Sequence, residues 1–395
     1  LQPFHLGISL NDATPLQQEF IDEELRRFVD CGAWEVGESS RYVSRAFLVP
    51  KPGTNQWRFV VDLRHLNQHS RTYSMRMETL KRLRTLAQRG DHMISFDLKD
   101  GFYMVAIHPQ DRHYFTVEIQ GRLYRLACLP MGWNASPYIF CKVVQVLVKS
   151  LRCLETDFHT PPRSGLRRRK WHPRRIHGIR LLWYMDDFLV FGRKEQMAEI
   201  VQIVQERIAS LGLSTNDKKS HWDPCQSLKH LGLMVNTRQG KFSVDPQRVL
   251  QLQRHATDIL CKAARGKRWV SKRALASLCG KAQFCYLAVQ PARYYLRSLH
   301  EAMASTKGWS GRVKLPRQAV RDLRWWASFP TRWNGRSIWR PFVTAELHCD
   351  ASSYGWGGVL DRQHTARGFW QQDDKPQHIT YKELKAVRLS LESFL

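Results

Sequence analysis

Acidic residues are scarce in this chain: 35 Asp and Glu face 62 Lys and Arg across 395 residues, a formal charge of +27. A compact fold with that imbalance repels itself, which argues against a protein working away from polyanions and makes nucleic acid the natural partner. The nine cysteines form no CxxC pair and no Cys/His spacing of the kind that builds a zinc site. With no signal-like start they read as reduced thiols of an intracellular protein, in cytoplasm or nucleus. No apolar run reaches the roughly 18 residues of a membrane-spanning helix, so no membrane partner is expected. No internal repeat is present either, which leaves out solenoids and arrays. Disorder is excluded from the other side, because 43% of the residues are hydrophobic and 11% aromatic.

Along the chain, Thr14, Pro15 and Gln17 form a capping box, and Leu16, Phe20, Ile21, Leu25 and Phe28 share one face of a helix over 14–30. Strands are expected at Arg45 to Val49 and Trp57 to Asp62, separated by the turn formers Pro52-Gly53-Thr54-Asn55. Another strand runs from His92 to Leu98 and ends in the acids Asp97 and Asp100. Residues 158–180 carry Arg163, Arg167, Arg168, Arg169, Lys170, Arg174, Arg175 and Arg180 without a single acid. That stretch reads as an exposed insertion, either a solvated linker or a phosphate-contacting loop. Beyond it come a helix over 195–211, a strand pair over 228–244 and helical segments from 246 to 329. A strand–turn–strand over 346–360 and a helix over 381–394 follow. This order predicts an α+β architecture with a second, α/β domain at the C-terminus. The chain opens at Leu1 and ends at Leu395 inside an expected helix, as a piece of something longer would.

The sharpest chemical signal is Tyr184-Met185-Asp186-Asp187 between the apolar runs Leu181-Leu182-Trp183 and Phe188-Leu189-Val190-Phe191. Two adjacent acids between buried strands are costly unless a tight turn brings them to cations. Asp97 ends its own apolar strand and is placed to supply a further carboxylate from a neighbouring strand. Phosphoryl transfer needs such carboxylates, holding two metal ions about 4 Å apart. Magnesium prefers these hard oxygens, and manganese can take its place.

Tyr184-Met185-Asp186-Asp187 followed by Phe188-Leu189-Val190-Phe191-Gly192 resembles the catalytic hairpin of reverse transcriptases. Ser95-Phe96-Asp97-Leu98-Lys99-Asp100-Gly101-Phe102-Tyr103 resembles their first metal-binding motif, and Leu129-Pro130-Met131-Gly132 through Pro137 their template-gripping motif. Val49-Pro50-Lys51-Pro52-Gly53, Trp57-Arg58 and Asp62-Leu63-Arg64 resemble the fingers segment, and His230-Leu231-Gly232 the primer grip. Five motifs in the family's order, over roughly residues 10–300, make chance agreement negligible. The resemblance implies that Asp97, Asp186 and Asp187 are the catalytic carboxylates and hold Mg2+ (or Mn2+). It implies that Lys51 and Arg58 clamp the triphosphate, that Phe102 is the steric gate against a 2′-hydroxyl, and that Lys218 or Lys219 protonates pyrophosphate. Met131, beside the incoming nucleotide, stands where many family members carry glutamine. The stretch from Pro137 to Tyr184 is also longer than in retroviral enzymes.

At the C-terminal end, Leu347-His348-Cys349-Asp350-Ala351-Ser352 and Gly355-Trp356-Gly357-Gly358 resemble the first hairpin of ribonuclease H. Asp350 and Glu383 would be its first two metal ligands. With no later aspartates before Leu395, the fragment is not expected to cut RNA on its own. Leu323-Arg324-Trp325-Trp326 and Trp333-Asn334-Gly335 resemble tyrosine-recombinase, DIRS-like retrotransposons, with LTR elements the neighbouring group.

The expected fold is therefore an α+β right-hand polymerase followed by a truncated α/β ribonuclease H-like domain. Fingers and palm occupy 1–225, thumb and connection 226–345, and the ribonuclease H start 346–395. The expected activity is RNA-directed DNA polymerisation, with an RNA/DNA primer-template and deoxynucleoside triphosphates as partners. The sequence sets no oligomeric state. The rival reading is a non-catalytic nucleic-acid-binding remnant of a retroelement, disfavoured because all three polymerase aspartates stand. An RNA-directed RNA polymerase is disfavoured by Phe102 and the ribonuclease H start.

Overall fold

The local signals for the first helix act together in the computed structural model, which describes residues 8–38, 40–50, 56–154, 178–306, 308–329, 331–339 and 343–394. Helix Pro15–Asp30 starts after Thr14, whose amide donates to Gln17 Oε1 at 2.8 Å, and buries Gln17, Ile21, Leu25 and Phe28. Leu16, expected on that face, is instead 64% exposed. The buried stripe steps 17-21-25-28, so Gln17 takes the inner position of the first turn and Leu16 points to solvent. Lys51 and residues 158–177 of the basic stretch lie outside the described residues.

Two compact units divide the chain, Leu1–Ile338 and Trp339–Leu395. In the first unit a six-stranded sheet runs in the order Ile8–Ser9, Val43–Pro50, Thr116–Ile119, Arg122–Leu126, Trp34–Val36, with Trp57–Asp62 also paired to Val43–Pro50. Val49 stands opposite Arg58 in that last pairing.

A second, four-stranded sheet has the order His221–Cys225, His92–Asp97, Asp187–Gly192, Arg180–Tyr184. Its inner hairpin strand buries Phe188, Leu189, Val190 and Phe191 consecutively, each at 1% exposure or less. A strand so buried on both faces must be covered by helices. Val144, Leu147 and Leu151 of helix Ser136–Arg152 and Ile200, Val204 and Ile208 of helix Met197–Ser210 join the same core. At roughly 1.5–3 kcal/mol per large apolar side chain, this burial holds the sheet. Three stacked rings cross it: Phe96 lies 4.4 Å from Phe188 and 5.3 Å from Trp222, with interplanar angles of 9° and 7°.

Two boundaries differ from expectation. The strand at His92 closes at Asp97, because Leu98 leaves the ladder for an isolated bridge to Thr215. The expected strand pair is a three-strand meander, Ser227–His230, Leu233–Asn236 and Lys241–Ser243, extended by Arg336–Ser337. Two tight turns, one with Leu231 and Gly232 at φ 45° and 76°, divide what reads as one polar-flanked run. Helices Pro246–Arg265, Lys272–Gln283, Tyr294–Ala304 and Arg317–Ser328 follow, and the first is capped by Asp245 accepting from Gln247 N at 2.9 Å. Trp326 is fully buried there and donates to Tyr295 O at 3.0 Å, while Trp325 stacks on the Tyr295 ring at 4.1 Å.

The second unit is a three-stranded antiparallel sheet, Leu347–Ala351, Gly355–Leu360 and His364–Phe369, with helix Ile379–Phe394 against it. The third strand, His-Thr-Ala-Arg-Gly-Phe, has no apolar alternation to announce it and pairs only because its neighbour leaves an edge. No helix among the described residues is long and apolar enough to cross a membrane.

Candidate active site

Register brings the acids together. Asp97 is the last residue of its strand and lies opposite Asp187 across the antiparallel ladder, while Tyr184 and Asp187 close the hairpin around the loop Met185-Asp186. Met185 takes φ 59°, a left-handed conformation that costs an L side chain about 1 kcal/mol. Three contacts hold the loop and the neighbouring strand end in place. Leu98 N donates to Asp186 O at 3.0 Å, Asn216 N donates to Asp97 O at 2.8 Å, and Met185 Sδ rests 3.6 Å from Cys141 Sγ.

Lys219 answers the acids. Its Nζ lies 2.9 Å from Asp97 Oδ2, and the turn that carries it is closed by Lys219 N and Ser220 N donating to Asn216 O at 3.0 and 2.9 Å. Ser220 Oγ also accepts from Asp97 N at 3.3 Å. Between Lys218 and Lys219, the turn therefore aims Lys219 at the carboxylates. One ammonium against three carboxyls leaves the cluster short of positive charge. Burial, then the Asp186 and Asp97 charges, push the Asp187 carboxyl up to about 6. Asp186 is raised by burial and by Asp97, and the Lys219 ammonium is raised chiefly by its hydrogen bond to Asp97. Burial, with the Asp186 charge added, also lifts the Cys141 thiol to about 11, which makes it an inert packing group.

The donors are hard carboxylate oxygens with negative charge in excess, a set that suits Mg2+ or Mn2+. Among the described residues no three acidic, His or Cys side chains are gathered tightly enough to hold an ion as they stand. Asp97 instead spends one oxygen on Lys219.

The other expected residues sit on other elements of the fold. Phe102 lies on the short 3-10 helix Gly101–Met104, entered through Asp100 at φ 51°, and meets the Phe140 ring edge-on at 5.3 Å. Gly101 is required beneath it, since a Cβ there would come within 2.6 Å of that ring. Met131 is 59% exposed and Arg58 is exposed on its strand. Neither joins the hydrogen-bonded cluster. The loop after Met131 is fastened by Asn67, which donates to Gly132 O and accepts from Asn134 N, both at 2.8 Å. In the second unit, Asp350 lies opposite Gly357 on an exposed strand position, and Glu383 is half-buried on the helix.

Several site residues carry no sequence signal of their own. Glu78 accepts from both Arg152, at 2.9 and 2.8 Å, and Trp183 N at 3.4 Å, which ties the hairpin to the helix behind it. Arg248 stacks over Phe284 at 4.5 Å and reaches Gly232 O at 3.5 Å, bracing the turn after His230.

Comparison with known proteins shows what this fold is similar to. Residues 49–235 match the family model of reverse transcriptase (RNA-dependent DNA polymerase). The Gag-Pol polyprotein of bovine immunodeficiency virus (strain R29) is 23% identical over 217 residues, covering 53% of this chain and 13% of that polyprotein. The foamy viral protease-reverse transcriptase dRH in complex with double-stranded DNA superposes with a TM-score of 0.64 at 16% identity, covering 94% of this chain and 59% of that one. The foamy viral protease-reverse transcriptase in complex with an RNA/DNA hybrid gives 0.63 at 16% identity, covering 96% and 46%. The chain thus spans only part of the length of each of these relatives, and the likeness to the solved structures shows a shared polymerase fold. Residues 49–235, with the carboxylate hairpin inside them, are thus similar to the reverse transcriptase domain of retroelements.

Proposed function

We propose that this chain extends a primer 3′ end with deoxynucleotides by metal-assisted phosphoryl transfer, with RNA as template. The observation that carries the proposal is the meeting of Asp97, Asp186 and Asp187 at one sheet end beside the Lys219 ammonium. Asp97, Asp186 and Asp187 would hold two Mg2+ ions, which when bound lower the pKa of the primer hydroxyl and neutralise the triphosphate. Asp97, once freed from Lys219, and Asp186 would offer the oxygens that hold those ions. Lys219, about 3 Å from a carboxylate in the resting chain, is placed to give its proton to departing pyrophosphate. Phe102, buttressed by Phe140, excludes a 2′-hydroxyl by its ring. Lys51 and Arg58 clamp the phosphates.

The foamy viral relatives were solved with double-stranded DNA and with an RNA/DNA hybrid. The same partners suit the +27 charge of this chain. A cavity of about 1320 Å3 in the first unit is lined by Arg45, Arg64, His65, His69, Tyr42 and Tyr114, with Asp62, paired to Arg64, and Asp111 also on its wall, and by none of Asp97, Asp186 and Asp187. Cations interleaved with aromatics suit a single strand, and we read this groove as the template path. The second unit is read as the start of a ribonuclease H domain, with Asp350 and Glu383 as metal ligands.

The test is deoxynucleotide incorporation on a primed RNA template with magnesium, for the intact chain and an Asp186→Ala/Asp187→Ala variant. Extension by the intact chain alone supports the reading. Binding of primer-template without extension by either would make the chain a nucleic-acid-binding remnant.

A further inference from the structure

Four cations line one cavity, with no acid among the described residues of its wall. A cavity of about 420 Å3 is lined by Lys81 and Arg84 of the segment after Glu78, by Tyr286, Leu287, Gln290 and Arg293 after helix Lys272–Gln283, and by Arg336. These residues come from three stretches far apart in sequence, so only the fold gathers them. Lys81 Nζ stands 5.3 Å from the centre of the Tyr286 ring and the Arg293 guanidinium 4.6 Å from it, so one aromatic ring fixes two cations. Arg84 is half-buried, and its Nε is sealed from solvent with no hydrogen-bond partner. Leaving a buried donor unmade costs about 1–3 kcal/mol, and confining four like charges adds to that. A site so arranged is short of an anion with several acceptor oxygens.

We propose that this cavity binds a phosphate group, which Arg84, Arg293, Arg336 and Lys81 contact through its oxygens while Tyr286 holds Lys81 and Arg293 in place. Guanidinium forks match phosphate geometry and are worth about twice a neutral hydrogen bond. The cavity shares no lining residue with the carboxylate cluster. Its occupant would be a backbone phosphate of bound nucleic acid or a free phosphate. Only the first source rests on the nucleic-acid partner read above.

The experiment compares the intact chain with Arg84→Gln/Arg293→Gln, and with Arg26→Gln as a control that removes an exposed cation elsewhere. Affinity for an RNA/DNA duplex is measured against salt, and melting temperature against inorganic phosphate. If a backbone phosphate sits in the cavity, the double variant loses about tenfold in duplex affinity at low salt and its log–log salt slope falls by about one to two, while Arg26→Gln does not match it. If free phosphate is the occupant, the duplex slope is unchanged, but millimolar phosphate raises the melting temperature of the intact chain and not of the double variant. Arg84→Lys/Arg293→Lys keeps the charge and should recover part of either response. Tyr286→Leu keeps all four cations and should lower the response by freeing two of them. The proposal is overturned if the double variant and Arg26→Gln behave alike in both arms. Asp186→Asn retains the duplex response, so a chain that never extends a primer can still pass or fail this test.

Discussion

The buried ion pair Arg180–Asp91 should be among the most sensitive points of the first unit. Arg180 opens the first strand of the carboxylate hairpin and Asp91 immediately precedes the strand that ends at Asp97. The two are joined bidentately at 2.6 and 2.8 Å and are only 7% and 3% exposed. Arg180 Nη1 also donates to Leu86 O at 3.0 Å, and Asp91 Oδ2 accepts from Gln88 N at 2.6 Å. Asp91→Ala leaves a buried guanidinium with one carbonyl and no counter-charge, which costs about 3–5 kcal/mol. For a unit of this size, at roughly 2 cal/mol/K of unfolding entropy per residue, that is about 5 °C in melting temperature. Asp91→Leu/Arg180→Met removes both charges and fills the space with apolar atoms, and should recover most of the loss. Thermal and urea unfolding of the parent, the two single variants and the double variant form the assay. A single variant melting within a degree of the parent, or a double variant as unstable as either single one, would refute the reasoning that desolvated charge sets the cost.

Three further outcomes are expected. Asp187→Asn should stabilise the metal-free protein at pH 8 by about 1 kcal/mol once partial exposure is discounted, because it removes a carboxylate held against its neighbours; urea midpoints without metal check this, and an unchanged midpoint counts against a crowded cluster. Burial lowers His230 to about 4, so the unfolded chain takes the proton first and stability is lost as pH falls from about 6.5 toward 4. By pH 5 that loss is about 2 kcal/mol, and His230→Leu should erase this increment of the pH 7 to pH 5 difference, whereas an equal pH response in both proteins would place the loss elsewhere. Phe102→Val should raise ribonucleotide incorporation relative to deoxynucleotide, read as a ratio of kcat/KM values, and an unchanged ratio would remove Phe102 as the gate.

The hairpin was legible because it is local. Two acids bracketed by apolar runs of three and four residues can be buried only at a tight turn, and Thr14 with Gln17 marks a helix start by the same short-range chemistry. Asp97 was legible as the end of an apolar strand, though its partner Asp187 emerges only from the register between strands. What sequence spacing left open was settled by direction and packing. Lys218 and Lys219 are neighbours of one chemistry, and the turn at Asn216 decides which one reaches Asp97. Leu16 is as apolar as Ile21, yet the phase of the buried stripe places Gln17 inside. The third strand of the second unit has a polar composition and exists because an unpaired edge recruits it. Arg180 belongs by sequence to a basic stretch, but in the fold it is a buried partner of Asp91. Lys81, Arg84, Arg293 and Arg336 are ordinary surface cations when read along the chain, and only chain folding over long separations brings them around Tyr286. Short-range sterics and hydrogen bonding are written in neighbouring residues, whereas long-range charge juxtaposition depends on how independently formed elements pack.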